Sequence, residues 1–166
     1  DLAQRNKDIQ IEIIFIDDAS TDNSSNIIKQ NIEEHQNIKG IFFQRNFGQT
    51  AAISAGIDYS NGDIIIPMDA DLQNDPADIP RLIQKLEEGF DVVSGWRKDR
   101  KDSYFSRILP SRVANWLISK ISGVQLHDYG CSLKAYRKEI FQNIQLYGEM
   151  HRFIPIYVAW QGGGVT

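Results

Sequence analysis

Ile64-Ile65-Ile66-Pro67-Met68-Asp69-Ala70-Asp71-Leu72-Gln73-Asn74-Asp75-Pro76 decides the fold. A short β-branched run bounded by turn signals reads as a buried strand. The Asn61-Gly62-Asp63 turn precedes it, and it runs directly into carboxylates at Asp69 and Asp71. Pro76 then opens a helix predicted over about Ala77 to Glu88.

The same grammar recurs on both sides. Ile11-Glu12-Ile13-Ile14-Phe15-Ile16 is β-branched and nearly continuous in apolar character, as for a strand covered on both faces, and it stops at Asp17-Asp18. Ser20, Thr21 and Asp22 offer caps for a helix carrying Ile27, Ile28 and Ile32. Ile41-Phe42-Phe43 is a further strand, followed by a Gly48 turn and a small-residue helix from Gln49 to Tyr59. Phe90 to Trp96 is predicted as a fourth strand, and the charged stretch Arg97 to Asp102 as an exposed loop. Strands alternating with helices imply an α/β fold whose central sheet is mostly parallel and flanked by helices, with ligands at the carboxyl ends of the strands. Both acidic clusters fall at such ends.

From Tyr104 to Ile121 apolar residues follow helical spacing, with Pro110 kinking or restarting the helix. With Arg100, Lys101, Arg107, Arg112 and Lys120 nearby, this segment reads equally as a core helix or as an amphipathic helix at a membrane interface. Trp96, Trp116 and Trp160 read as core or interface aromatics.

The chain has 166 residues, 42% of them hydrophobic, enough for one domain over residues 1–166 and too few for two. A formal charge of −4 points away from nucleic acid as a partner. Cys131 is the single cysteine, which rules out an intrachain disulfide and a Cys-rich zinc site. No apolar run approaches the roughly 18 to 20 residues of a membrane span. The chain begins at Asp1 and ends at Thr166 just as an apolar segment starts, so it reads as a soluble excerpt.

Two carboxylates at alternate positions beyond a strand can converge on one hard cation, and Gln73 adds a neutral oxygen on the same side. An Asp-x-Asp triplet alone equally fits a solvated acidic turn, just as Asp17-Asp18 alone fits a helix cap. The surrounding sequence is more specific. Ile64 to Pro76 resembles the strand and metal loop of family-2 glycosyltransferases with the GT-A fold, in the polyprenyl-phosphate branch that includes dolichol-phosphate mannosyltransferase-like and undecaprenyl-phosphate enzymes. Ile14 to Asp22 resembles a second block, with Ala19 where glycine is more usual. Arg45-Asn46-Phe47-Gly48-Gln49 resembles a third, and Asp128 to Arg137 a fourth. The resemblance covers Ile11 to Gln161 and includes Met150-His151-Arg152-Phe153-Ile154-Pro155.

The resemblance implies that Asp69, Asp71 and Gln73 hold Mg2+ or Mn2+, and that Asp17, Asp18, Asn46, Gln49 and Asp69 contact the nucleotide-sugar donor. It implies Asp128 as the catalytic carboxylate, orienting or deprotonating the acceptor. Arg97, Arg137, His151 and Arg152 are implied as contacts for the acceptor phosphate, a role that suits the guanidinium fork. The implied reaction is an inverting, metal-dependent sugar transfer to a polyprenyl phosphate for cell-envelope glycan or glycolipid synthesis.

The family's first strand, with its Pro-x-Tyr/Phe-Asn-Glu loop, and the membrane helices common in this branch have no counterpart in the chain. The full-length protein is therefore expected at the cytoplasmic face of the cell membrane. A missing strand would leave a sheet edge that invites self-association into a homo-oligomer. Alternatives are a saccharide acceptor, a noncatalytic nucleotide-sugar-binding module, a nucleotidyltransferase, or a haloacid-dehalogenase-like phosphatase, whose nucleophile loop Leu72 to Pro76 fits poorly.

Overall fold

The early β-branched run forms β1, Ile13–Asp17, as the stiffness of such side chains favours. The computed structural model describes residues 9–96, 109–126 and 128–166. Helix α1, Ser24–Glu34, returns the chain to β2, Ile38–Phe42, which pairs in parallel with β1 so that Asp17 stands beside Phe42. Helix α2, Gln49–Tyr59, packs on β1 where a Cβ at Gly56 would lie 2.9 Å from Ile16 Cδ1. On the other face, a Cβ at Gly40 would meet Ile32 of α1 at 2.6 Å. Two glycines therefore let helices approach this pair of strands from both sides.

A second sheet has β5, Lys134–Arg137, between β3, Ile64–Ile65, and β4, Val92–Ser94. Both neighbours pair antiparallel with β5 and so run in the same direction as each other. The fold is the expected GT-A-type α/β arrangement, but the mostly parallel sheet is corrected: among the described strands β1 and β2 pair in parallel, while β5 runs antiparallel to both β3 and β4, and Val92 makes an isolated parallel bridge to Val165. The four residues of β5 are too few to show a two-residue period, and its end residues are charged.

Between β3 and β4, a 3-10 turn at Pro76–Asp78 leads into α3, Ile79–Glu87. Asp75 caps the turn by accepting Ala77 N at 2.9 Å. Leu82 and Leu86 of α3 bury against Val93, Leu133 and Ala135. Ile154 and Val158 of α5, Ile154–Trp160, bury with Val92 and Tyr136. Because Val92 and Val93 are adjacent in β4, these two clusters fill opposite faces of the sheet. Pro110 is the second described residue of α4, Leu109–Ser122. Residues 104–108 and the basic Arg100, Lys101 and Arg107 lie outside the described residues. Trp96, Trp116 and Trp160 are exposed, so the core half of their core-or-interface reading is corrected: aliphatic side chains with Tyr129, Cys131 and Tyr136 fill the core.

Ala19 has φ of 61°, in the left-handed region, where a side chain costs roughly 1–2 kcal/mol. Glycine removes that strain against about 0.5–1 kcal/mol of lost backbone entropy. Ala19→Gly is therefore expected to raise stability by about 0.5–1 kcal/mol. A urea midpoint equal to or below that of the parent chain would contradict this.

Candidate active site

Asp17 ends β1 with 5% of its surface exposed. One carboxylate oxygen accepts Ser20 N at 2.9 Å and the other accepts Ser25 Oγ. Hydrogen bonds from Ser20 and then Ser25 hold this carboxyl below its ordinary range. Asp18 receives Phe47 N at 2.7 Å and Gly48 N at 2.8 Å on its two oxygens, and its carbonyl accepts Asn46 Nδ2 at 3.4 Å. The acidic pair thus builds the loops after β1 and β2 and fastens them together. Asn46 is held in the same junction.

The first turn of α2 bridges two further segments. Gln49 Nε2 donates to Asp69 Oδ1 at 2.8 Å, and Thr50 Oγ1 lies 2.6 Å from His151 Nδ1. In the loop beyond β3, Asp71 Oδ1 accepts Gln73 N at 3.0 Å, which curls the segment back on itself. Leu72 at its tip is 96% exposed with φ of 63°, a strained setting for a bulky residue. Asn74 Nδ2 reaches Ser132 Oγ at 2.9 Å and ties this loop to the segment that carries Asp128.

Asp69, Asp71 and Gln73 form an all-oxygen donor set at alternate positions, chemistry that suits Mg2+ or Mn2+ over softer metals. Among the described residues no three His, Cys, Asp or Glu side chains converge. Three such donors could supply only part of the roughly six ligand positions of a hard cation, the rest falling to phosphate oxygens and water.

Asp128 is 4% exposed, and its Oδ1 accepts Gly130 N at 3.0 Å. Lys134, equally buried, donates from Nζ to the carbonyls of Tyr129, at 3.2 Å, and Cys131. The sequence reading passed over this lysine. Its signal is a charge inside the otherwise uncharged run Gly130 to Tyr136.

His151 sits in a 3-10 turn, Met150–Arg152. Burial pushes its imidazole below the ordinary value, against Glu149 and Asp69 and with help from Arg152 and Lys134. Arg152 is exposed and pairs with Glu149 Oε2 at 3.4 Å.

Arg137 stands apart from these loops. It pairs with Ile64, the first residue of β3, whereas Asp69 follows the other end of that strand. Its guanidinium donates to Leu86 O at 2.7 Å and Phe90 O at 3.2 Å, beside Asp91 at 3.9 Å. The antiparallel course of β5 carries it away from the loops. Arg137→Met is expected to lower stability by about 1–3 kcal/mol and to leave the acceptor KM of the full-length protein within two-fold of the parent, as steady-state kinetics and denaturant melts would measure. Arg97 lies outside the described residues.

Residues 2–145 match the family model described as glycosyl transferase family 2. The chain is 53% identical over 150 residues to a dodecaprenyl-phosphate galacturonate synthase of Rhizobium johnstonii, covering 89% of this chain and 44% of that protein. It is 45% identical over 146 residues to an undecaprenyl-phosphate 4-deoxy-4-formamido-L-arabinose transferase of Shewanella sediminis, covering 87% and 44%. The chain therefore spans less than half the length of these relatives. In fold it is similar to a mannosyltransferase from Pyrobaculum calidifontis in complex with GDP-mannose and Mn2+, with a TM-score of 0.64 at 18% identity, over 93% of this chain and 44% of that one. A glucosyl-3-phosphoglycerate synthase from Mycobacterium tuberculosis, in complex with Mn2+ and UDP-glucose, gives 0.66 at 16% identity over 90% and 53%. With four motif blocks in order, each tied to the next by hydrogen bonds, and a family model spanning residues 2–145, the chain belongs to glycosyl transferase family 2.

Proposed function

We propose that this chain is the nucleotide-sugar-binding and catalytic part of an inverting glycosyltransferase that transfers a sugar to a polyprenyl phosphate. One observation carries the reading: hydrogen bonds involving Gln49, Asn74 and Thr50 link the Asp69 loop, the Asp128 loop and His151. The lipid named for both relatives supports the acceptor class.

In this reading Asp69, Asp71 and Gln73 hold Mg2+ or Mn2+. Bound there, the cation offsets charge on the departing nucleoside diphosphate. Asp18, with Asn46 and Gln49, keeps the donor loops in register, and Asp17 holds the turn beneath them. The acceptor phosphate oxygen is already anionic near neutral pH, so Asp128 orients the attack on the anomeric carbon and removes little proton. His151 and Arg152 face the phosphates.

Membrane association follows from the lipid acceptor. Among the described residues no helix is long and apolar enough to cross a membrane. The exposed Trp116, Leu117 and Ile121 of α4 and Trp160 of α5, with Lys120 Nζ 5.1 Å from the Trp116 ring, suit the headgroup boundary at the cytoplasmic face. Co-sedimentation of the full-length protein with anionic vesicles, weakened by Trp116→Ser, tests that surface.

Because the protein donors make only part of a coordination shell, the cation and diphosphate are expected to stabilise the chain together far more than either does alone. UDP, GDP and dTDP would each be titrated with and without Mn2+ in thermal melts. A saturating pair at about a hundred times Kd adds roughly 2.7 kcal/mol. Transfer by the full-length protein from the matching nucleotide sugar to undecaprenyl phosphate completes the test. Metal-independent transfer would overturn the metal site, and sugar release without lipid product would overturn the acceptor.

A further inference from the structure

Thr50 lies in the first turn of α2, with 6% of its surface exposed. A threonine in a helix ordinarily bonds its hydroxyl to a carbonyl of the preceding turn. Here Oγ1 lies 2.6 Å from Nδ1 of His151, 101 residues away in sequence. The adjoining Gln49 holds Asp69, so one turn of helix grips both the carboxylate loop and the histidine.

A partner on Nδ1 fixes the imidazole plane and leaves Nε2 as the ring's remaining polar atom. With the ring neutral, a hydroxyl that donates to Nδ1 places the ring proton on Nε2. That atom then becomes a hydrogen-bond donor, as the oxygens of a phosphate require.

We propose that Thr50 is a positioning residue that locks His151 in one ring orientation and one tautomer, with Nε2–H presented to a phosphate of donor or acceptor. Only the identity of that phosphate rests on the proposed function; the Thr50–His151 bond stands on its own geometry. Through Gln49, the same turn sets the distance between His151 and the Asp69 loop.

The test uses the full-length protein with Thr50→Val, Thr50→Ser, His151→Ala and the Thr50→Val, His151→Ala double variant. Thr50→Val, close in shape to threonine, is expected to lower kcat roughly ten-fold, the scale of one neutral hydrogen bond. Its donor KM should stay within about two-fold, and Thr50→Ser should recover most of the rate. In the His151→Ala background, Thr50→Val should cost nothing further, because the residue it positions is gone. Nitrogen-15 spectra of labelled histidine should show one His151 tautomer in the parent and a mixture in Thr50→Val. Equal losses in both backgrounds, or an unchanged ring spectrum in Thr50→Val, would overturn the proposal. If the spectrum shifts while His151→Ala keeps full activity, the positioning stands and the phosphate-binding role of His151 fails.

Discussion

Asp69→Ala and Asp71→Ala are each expected to lower transfer by the full-length protein by about a hundred- to ten-thousand-fold. The estimate follows from the several kcal/mol that a bound cation contributes to a developing charge, at about 1.4 kcal/mol per decade of rate. The fold should tolerate both changes. Asp69 is half-buried and engaged by Gln49, and Asp71 is exposed and bonds within its own loop. Melting temperatures near that of the parent, with loss of Mn2+-dependent stabilisation by the nucleoside diphosphate, would separate a damaged site from a damaged fold. Unchanged transfer with unchanged metal dependence would sink the assignment. Asp71→Asn offers a graded comparison, since an amide keeps one oxygen donor but removes the charge.

The largest effect on stability is expected from Lys134→Met. Lys134 is buried at the start of β5, and its ammonium satisfies the carbonyls of Tyr129 and Cys131 in the turn that follows Asp128. Methionine keeps most of the volume but leaves both carbonyls without this donor. At about 1–3 kcal/mol for each of the two buried acceptors, the expected loss is about 2–6 kcal/mol. Turnover should fall as well, because the same turn sets the Asp128 carboxylate through Gly130 N. Denaturant melts with kcat measured well below the transition would check both parts. A Lys134→Met chain as stable as the parent would show that the turn holds without the lysine.

Much of the site was legible because its chemistry is local. The alternation of β-branched runs with acidic strand ends placed Asp17, Asp18, Asp69 and Asp71 on loops at one end of the strands. A hard-cation donor set needs only a short stretch of chain, so Asp69, Asp71 and Gln73 could be read together. The strained tip at Leu72 gave no comparable signal, since backbone conformation at a single residue is decided by the hydrogen bonds around it, whereas Ala19 stands where the family usually has glycine.

Arg137 shows where one-dimensional reading stops. Its place in a motif with Asp128 suggested a shared site, yet nine positions along a chain that turns into an antiparallel strand separate the two ends of a sheet. Lys134, three residues earlier, stays at the loop end and organises it. Along a strand each residue advances the chain by about 3.3 Å, so a short shift in sequence exchanges a site residue for a structural one.

The sequence by itself determined the α/β class, the family, and the oxygen-rich loop at Asp69, because repeated patterns and contiguous motifs encode these. Only the tertiary structure decided the antiparallel course of β5, the role of Asp18 as a loop fastener, and the Thr50–His151 contact. Those depend on hydrogen bonds between residues up to 101 positions apart, and such pairings exist only once packing has brought the segments together.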